Sequence, residues 1–322
     1  MKNNIALVTG TTSGLGYSAA KQLAAEGWSE VIVTGRRLAR VQETAAQLAA
    51  ETKKQVFTPL ELDLNETASV QSALAALVKR GRPIDFLLLN AGMIGVKRVL
   101  TAAGIEEDQA PLIGHHQLTV GLLGAGLLSP SARIVIAGSE ACRGDVPMFS
   151  YTDVAAFAAK HHQGDRTAAV EALVRSGPNV KYGPNRAYAD AKLVVALWAA
   201  ALARRLPSGM AVYTVSPGSA PDTQAARNAG WAMTWLLVPM VKLLGMVQTT
   251  ETAARRYLQA LEFGTDVSGQ FFASAPKKLT GPIEAMRHPH FHDRANQEAA
   301  WQAVVKVSGV GFSSAVPLSA VS

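Results

Sequence analysis

The sequence predicts an α/β fold of the doubly wound kind, a parallel sheet with helices on both faces. Three observations predict it. Short apolar runs alternate with stretches of helical length from Ile5 to Val215. The first run opens into a glycine turn that leads straight into a helical segment. Residues with ligand-binding chemistry stand at the carboxyl ends of successive runs, where such sheets bind their ligands.

Ile5 to Thr9 form the first strand, followed by Gly10-Thr-Thr-Ser-Gly14-Leu-Gly16 and a helix to about Gly27. Strand, glycine turn and helix together can cradle a phosphate, because glycine lets the backbone approach and the helix start presents free N–H groups. Gly10, Thr12, Ser13, Gly14, Leu15 and Gly16 are therefore candidate cofactor contacts. Their G-x-x-x-G-x-G spacing departs from the G-x-G-x-x-G dinucleotide fingerprint, and a loop that binds nothing is the plainer alternative.

Val31 to Thr34 form the second strand, ending in Gly35-Arg36-Arg37. In a Rossmann-type unit an acid about 20 residues past the glycines takes the ribose of NAD, and an arginine there suits the 2′-phosphate of NADP. That count reaches Arg36, with no acid between Glu30 and Glu43. A guanidinium matches phosphate in a fork geometry, and cations are disfavoured at a helix start. Phosphate binding by Arg36 and Arg37 is favoured over two solvated side chains, and NADP(H) over NAD(H).

Val56 to Leu62 is the next strand, closing on Asp63-Leu64, and Ala68 to Lys79 is helical. Ile84 to Leu89 is a buried strand opening into Asn90-Ala91-Gly92. Residues 104–128 read as mostly helical, and Arg133 to Ala137 as a strand ending at Gly138-Ser139. Gly10, Arg36, Asp63, Asn90 and Ser139 thus all lie at strand ends. Asp63 as a helix cap, Asn90 as a turn residue and Ser139 as an ordinary strand-end serine are the duller alternatives.

Tyr188 and Lys192 stand near the start of a long alanine-rich helix reaching Leu206. Positions i and i+4 share a helix face. A phenol has a pKa of about 10, and a cation beside it favours the phenolate. The pair can exchange a proton with a substrate oxygen. Alone, Tyr-x-x-x-Lys is a weak pattern.

Composition bounds the function. The chain has 322 residues, 48% hydrophobic and 17% charged, enough for one large domain. Cys142 is the only cysteine, which excludes an internal disulfide and a multi-cysteine metal site. The charge of +7 is scattered, with no basic run longer than two, so nucleic acid is not an expected partner. No signal-peptide architecture is read at Met1 to Val8. The longest apolar stretch, 229–241, contains Pro239 and is short for a membrane span. A cytoplasmic protein is expected.

With Thr9-Gly10-x-x-x-Gly14-x-Gly16, Asn90-Ala91-Gly92, Ser139 and Tyr188-x-x-x-Lys192 in this order, the chain resembles the short-chain dehydrogenases/reductases. The resemblance runs from about residue 4 to 275. The tail around Trp301 is similar to the retinol-dehydrogenase-like branch. It implies a sheet of about seven strands and hydride transfer between a nicotinamide cofactor and an alcohol or carbonyl carbon. On this resemblance Tyr188 is the acid/base, Lys192 lowers its pKa and holds the nicotinamide ribose, and Ser139 hydrogen-bonds the reacting oxygen. Asp63 and Leu64 would contact adenine, Asn90, Ala91 and Gly92 would line the cofactor cleft, and Pro217, Gly218 and Thr223 would meet the nicotinamide side.

Two features depart from the family. It usually places an asparagine in the helix before the serine strand, where it anchors a water in the proton relay. Pro111 takes that position here, and a proline offers no such bond and would disturb a helix. His115, His116 and Asn185 are the candidate substitutes. Second, Ser139 and Tyr188 are separated by an insertion, about 142–184, with helices expected at Asp153 to Lys160 and Thr167 to Arg175. It is expected to form a wall or lid over the substrate, with surface decoration or an oligomer contact as the alternative.

The segment Trp231 to Val247 is rich in tryptophan and methionine and suits an apolar pocket, ahead of an interface or a membrane contact. His288, His290 and His292 read as a loop and not as a metal site. Residues 1–322 are expected to form one domain, with 276–322 as a C-terminal extension. The leading expectation is an NADP(H)-dependent oxidoreductase whose small-molecule substrate is an apolar, bulky ketone, aldehyde or alcohol, in a homo-oligomer. A non-catalytic NADPH-binding regulator and a membrane-associated retinoid or lipid dehydrogenase are the rivals.

Overall fold

The computed structural model describes residues 4–219 and 248–312. Its strands are β1 (Ile5–Val8), β2 (Glu30–Gly35), β3 (Phe57–Glu61), β4 (Ile84–Leu89), β5 (Leu128–Ala137), β6 (Ala211–Val215), β7 (Phe271–Ser274) and β8 (Ile283–Ala285). They form one 8-stranded sheet in the order β3-β2-β1-β4-β5-β6-β7-β8. All pairs are parallel except β7 with β8. The order reverses between β1 and β4, where open α/β sheets leave a ligand crevice beyond the strand ends.

One face carries α1 (Gly14–Ala25), α2 (Leu38–Thr52) and α8 (Thr250–Gln259), whose Leu23, Val41, Leu48 and Tyr257 pack on Val8, Val33 and Tyr213. In α2 the spacing of Val41, Ala45 and Leu48 sets one apolar stripe toward the sheet. The other face carries α3 (Thr67–Arg80), α4 (Ala110–Gly124) and α7 (Pro184–Ala203).

Outside α7 lies a further layer: α5 (Val154–His161), α6 (Arg166–Arg175), the short α9 (Pro289–His292) and α10 (Arg294–Ser308). Asp153 and Asp165 cap α5 and α6, accepting N–H bonds from Ala156 and Ala168. Asp293 caps α10 and pairs with Arg166 at 2.9 Å. Trp301 of α10 stacks on Trp198 of α7, and the Arg205 guanidinium lies 4.5 Å over the Trp301 ring.

Three local outcomes differ from the sequence reading. The helical part of 104–128 is confined to Ala110–Gly124, and β5 already begins at Leu128. Gly126, at φ 65°, turns the chain between them. The sheet gains β8, a three-residue antiparallel edge whose Phe272↔Ala285 register lies in the region expected as an extension. Pro111 does not break α4, because it sits in the first turn, where a backbone N–H has no intrahelical acceptor. Among the described residues no helix is long and apolar enough to cross a membrane.

Candidate active site

The end of β1 and the end of β4 are clasped together. Asn90 donates its amide to the Thr9 and Gly10 carbonyls at 2.9 and 3.3 Å, and the Ala91 N–H reaches the Thr9 hydroxyl at 3.0 Å. A Cβ on Gly16 would stand 2.6 Å from the Asn90 amide nitrogen and closer still to the Gly10 carbonyl, so only glycine fits there. Gly10 turns the chain at φ 69°. Space over Gly14 is open, with no atom within 4 Å of an added Cβ. Ser13 is the N-cap of α1, but its side chain makes no cap bond. The start of α1 thus lies beside the open space over Gly14.

The neighbouring residues sort themselves by partner. Thr12 packs against Gly35 at the end of β2, and Leu15 rests against the core under α1. Arg36 and Arg37 are exposed at that strand end, and neither forms an ion pair among the described residues. The Asp63 carboxylate accepts from the Asn65 N–H at 3.0 Å in a local turn, while the N-cap of α3 is Glu66, so Asp63 is not the helix cap given as its alternative. The Leu64 side chain is buried against Gly114, leaving only its backbone for a ligand. Thr11 and Thr34, which the sequence reading passed over, join the ends of β1 and β2 by a 3.0 Å side-chain bond.

Ser139, Tyr188 and Lys192 converge beyond β5. Ser139 caps a short turn at Glu140–Arg143, and its hydroxyl is near enough to the Tyr188 phenol to favour the phenolate. Lys192 lies 5.7 Å from the centre of the Tyr188 ring and donates to the Ala137 carbonyl at 2.9 Å. A Cβ on Gly92 would stand 3.6 Å from the Lys192 nitrogen, so the β4 loop faces the same space. Burial pushes the Tyr188 phenol up to about 12, against the lowering by the Ser139 hydroxyl. Burial likewise pushes the Lys192 ammonium down to about 8. In the protein alone burial holds the Tyr188 phenol above its ordinary value of about 10.

The short chain dehydrogenase family model matches residues 4–161, covering the glycine turn, the Asn90 loop and Ser139. The chain belongs to the short-chain dehydrogenase family. It is 29% identical to a polyprenol dehydrogenase of Mus musculus, over 95% of this chain and 84% of that protein. It is 27% identical to retinol dehydrogenase 13 of Homo sapiens, over 86% and 78% of the two chains, which agrees with the retinol-dehydrogenase-like branch. A short chain dehydrogenase from Burkholderia cenocepacia, solved in complex with NADP, shares the fold with a TM-score of 0.56 at 22% identity, covering 84% and 95%.

As a short-chain dehydrogenase the chain departs from its family around α4. His115 is buried and bonded to the Thr9 hydroxyl at 2.9 Å, and burial with the nearby Lys192 pushes it down to about 3. It stays neutral near pH 7, with a single ring N–H. His116 accepts from Trp198 at 3.0 Å and bonds the Val310 carbonyl at 2.8 Å, tying the C-terminal tail to α4. Asn185 donates outward to the Met148 carbonyl at 3.2 Å. None of the three candidate substitutes is engaged with Lys192.

The insertion divides in two. Its helices α5 and α6 pack into the core beside α7 and α10, with Phe157, Val170 and Leu173 buried. Only its first stretch lies at the site, where Phe149 stands 6.2 Å from Tyr188, ring centre to ring centre. That stretch is pinned at its far end by Thr152, whose N–H and hydroxyl bond Asp190 at 2.5 and 2.9 Å. Tyr151 bonds His290 at 3.0 Å, and His292 bonds the Met286 carbonyl at 2.9 Å. These histidines lie in the short helix α9, where a loop was expected, and serve local packing. Among the described residues no group of three or more His, Cys, Asp or Glu is placed to hold a metal.

A buried network missed by the sequence reading closes the other side. Glu140 accepts from the Ser216 hydroxyl and, at 3.0 Å, from the Ser274 hydroxyl, and pairs with Arg256 at 3.5 Å. Arg256 donates to the Ser216 carbonyl at 3.3 Å and to Ser274 at 2.9 Å. Ser216 in turn holds the Gly218 N–H at 3.1 Å, and Gln248 donates to the Pro217 carbonyl. The Pro217-Gly218 turn is thereby fixed at the end of β6. Thr223 and the segment Trp231 to Val247 lie outside the described residues.

Proposed function

We propose that this chain is an NADP(H)-dependent oxidoreductase that interconverts a bulky apolar ketone or aldehyde and its alcohol, with Tyr188 as the acid/base. The observation that carries it is the convergence of Ser139, Tyr188 and Lys192 beyond the end of β5, next to an open glycine turn. The residues present fit a dinucleotide. Gly10, Thr12, Ser13, Gly14, Leu15 and Gly16 would take the pyrophosphate at the α1 start. Arg36 and Arg37, exposed and without acid partners among the described residues, would take the 2′-phosphate. Asp63, Leu64, Asn90, Ala91, Gly92, Pro217 and Gly218 would flank it, and Thr223 is kept as an untested contact. Bound there, the nicotinamide supplies the reducing equivalent.

The protein's own part is proton handling and orientation. A phenol held near a pKa of about 12 is protonated at neutral pH, the state needed to donate to a carbonyl oxygen. Ser139 supplies a second hydroxyl to that oxygen, and Lys192 is the nearest store from which Tyr188 recovers its proton. Phe149 and the stretch before Thr152 form the substrate wall on this reading. The names of the polyprenol and retinol relatives support a long apolar alcohol or its carbonyl counterpart as the substrate class.

NADPH consumption against a panel of bulky ketones and aldehydes tests this, with Tyr188→Phe as control. The proposal expects turnover in the wild type, a loss of about 100-fold or more in the variant, and NADPH binding in both. Tight binding with no wild-type turnover would favour a non-catalytic regulator, and no binding of either nicotinamide cofactor would sink both.

A further inference from the structure

Behind Lys192 lies a pair of buried carboxyls that the family pattern does not account for. Asp108 is 8% exposed and Glu106 2% exposed. Asp108 stands three residues before Pro111, just ahead of the Gln109 N-cap of α4. One of its oxygens accepts the Gly95 N–H at 2.7 Å, while the other, buried, has no hydrogen-bond partner. The turn of residues 92–95 joins it to the site. A Cβ on Gly92 would lie 3.6 Å from the Lys192 nitrogen, and one on Gly95 would lie 3.5 Å from the Asp108 carboxylate.

The second carboxyl continues outward. Glu106 accepts the Asp108 N–H at 2.9 Å through one oxygen, and its other oxygen is buried and unpartnered. Glu106 lines a cleft with Gln109, Tyr182, Asp190 and the exposed Lys181. The Gln109 amide oxygen and the Tyr182 hydroxyl are also buried without partners. A run of unsatisfied polar atoms of this kind is costly unless it exchanges protons or hydrogen bonds with solvent. It runs from the cleft to Asp108, whose carboxylate is close enough to feel the Lys192 charge.

We propose that Asp108, followed by Glu106, is the proton relay between solvent and Lys192 in this chain, standing in for the asparagine replaced by Pro111. The inference rests on the oxidoreductase reading above. In reduction Tyr188 gives its proton to the substrate oxygen and recovers one from the Lys192 ammonium. The neutral amine takes a proton from the Asp108 carboxylic acid, Asp108 takes one from Glu106, and Glu106 from water in the cleft. Each step moves one proton and leaves the relay as it began.

The ionisation of both groups suits this traffic. Burial pushes Asp108 up to about 6, with Glu107 adding and the Gly95 bond and Lys192 opposing. Burial, with Asp108 and Glu107, pushes Glu106 up to about 7. The charged or titratable groups facing Asp108 are Glu106 and Glu107 from its own segment, Lys192 and Tyr188 from α7, and Tyr182 just before α7.

Asp108→Asn keeps the acceptor for Gly95 and removes the exchangeable proton. The expected result is a fall in kcat of tenfold or more, a larger solvent deuterium effect on kcat and loss of the pH limb near 6, with the KM for NADPH unchanged. Asp108→Glu should restore part of the rate. If Asp108→Asn does not fold, Glu106→Gln is read the same way. In the cofactor-free protein, NMR titration of the Lys192 ammonium should move lower in Asp108→Asn, because a neighbouring carboxylate is lost. Wild-type turnover with kcat within twofold in these variants and an unchanged pH profile overturns the relay alone. A wild type that binds NADPH and reduces nothing overturns the oxidoreductase reading, and an unmoved Lys192 titration then overturns the relay as well.

Discussion

Lys192 donates its ammonium to the Ala137 carbonyl at 2.9 Å, joining α7 directly to the last residue of β5. Ser139 follows two residues later, so this bond sets the offset between the helix that carries Tyr188 and the strand end that carries Ser139. The hydroxyl pair is fixed by protein contacts, and little reorganisation is left for the moment of reaction. The ammonium is fully buried there, and it is this burial that pushes its pKa down to about 8.

Arg36 is the first point at which cofactor choice is testable. Arg36→Ala should weaken NADPH binding about tenfold to a hundredfold, the value of a charge-assisted hydrogen bond. NADH binding should change less than threefold, since it lacks the 2′-phosphate. Fluorescence titration with both cofactors checks this, and equal losses for the two would remove the phosphate role.

Gly16→Ala should disable the turn. The added methyl would meet the Asn90 amide and the Gly10 carbonyl, so the clasp between β1 and β4 must open. A stability loss of about 1–3 kcal/mol is expected for such overpacking, together with loss of NADPH binding. Gly14→Ala meets no atom within 4 Å, yet its φ of 62° penalises any side chain. Its stability cost should be the smaller one. Urea unfolding of the two variants compares them.

Arg256→Met leaves the Glu140 carboxylate buried with only serine partners. Removing one member of a buried pair costs about 3–5 kcal/mol. Because Ser216 and Gly218 hang on the same network, kcat should fall as well. Chemical denaturation and steady-state kinetics on one preparation would show both effects. A variant as stable as the wild type would show that the network is dispensable.

Acid should loosen the C-terminal helix. His116 is buried, which pushes it down to about 4 from the ordinary 6.5, against the lift from the Val310 carbonyl. The unfolded chain therefore binds more protons between these values, and stability falls as pH drops from 6.5 toward 4. The limiting slope is about 1.4 kcal/mol per pH unit. Protonation also ends the acceptance from Trp198. Urea midpoints at pH 7 and pH 5 measure the slope, and His116→Gln should flatten it.

Much of this was readable in the chain. β1, the glycine turn and α1 follow from an apolar run, three glycines and a helical period, all local signals. α5 and α6 were expected almost to the residue, since Asp153 and Asp165 announce their own starts. β8 was not legible: three residues between a glycine-proline turn and a histidine-rich loop carry no period. The start of β5 was hidden in an apolar stretch that reads equally as helix or strand. Asp108 and Glu106 look like surface acids in sequence, and only the packing of α4, α6 and α7 around them buries them. Arg256 and Glu140 lie far apart in the chain, and no spacing rule brings them together.

His116 and Gln117 take their partners from Val310 and Ser308, 194 and 191 residues later. A nascent chain exposes α4 long before the residues that complete its hydrogen bonds are synthesised. Half of the sheet can assemble in that interval, but the aromatic stack of Trp198, Trp301 and Phe312 cannot close until the end. Such distant pairings slow folding and leave apolar surface open to chance encounters. A chain that stops short of α10 would therefore leave His116, Gln117 and the Trp198 ring without these partners.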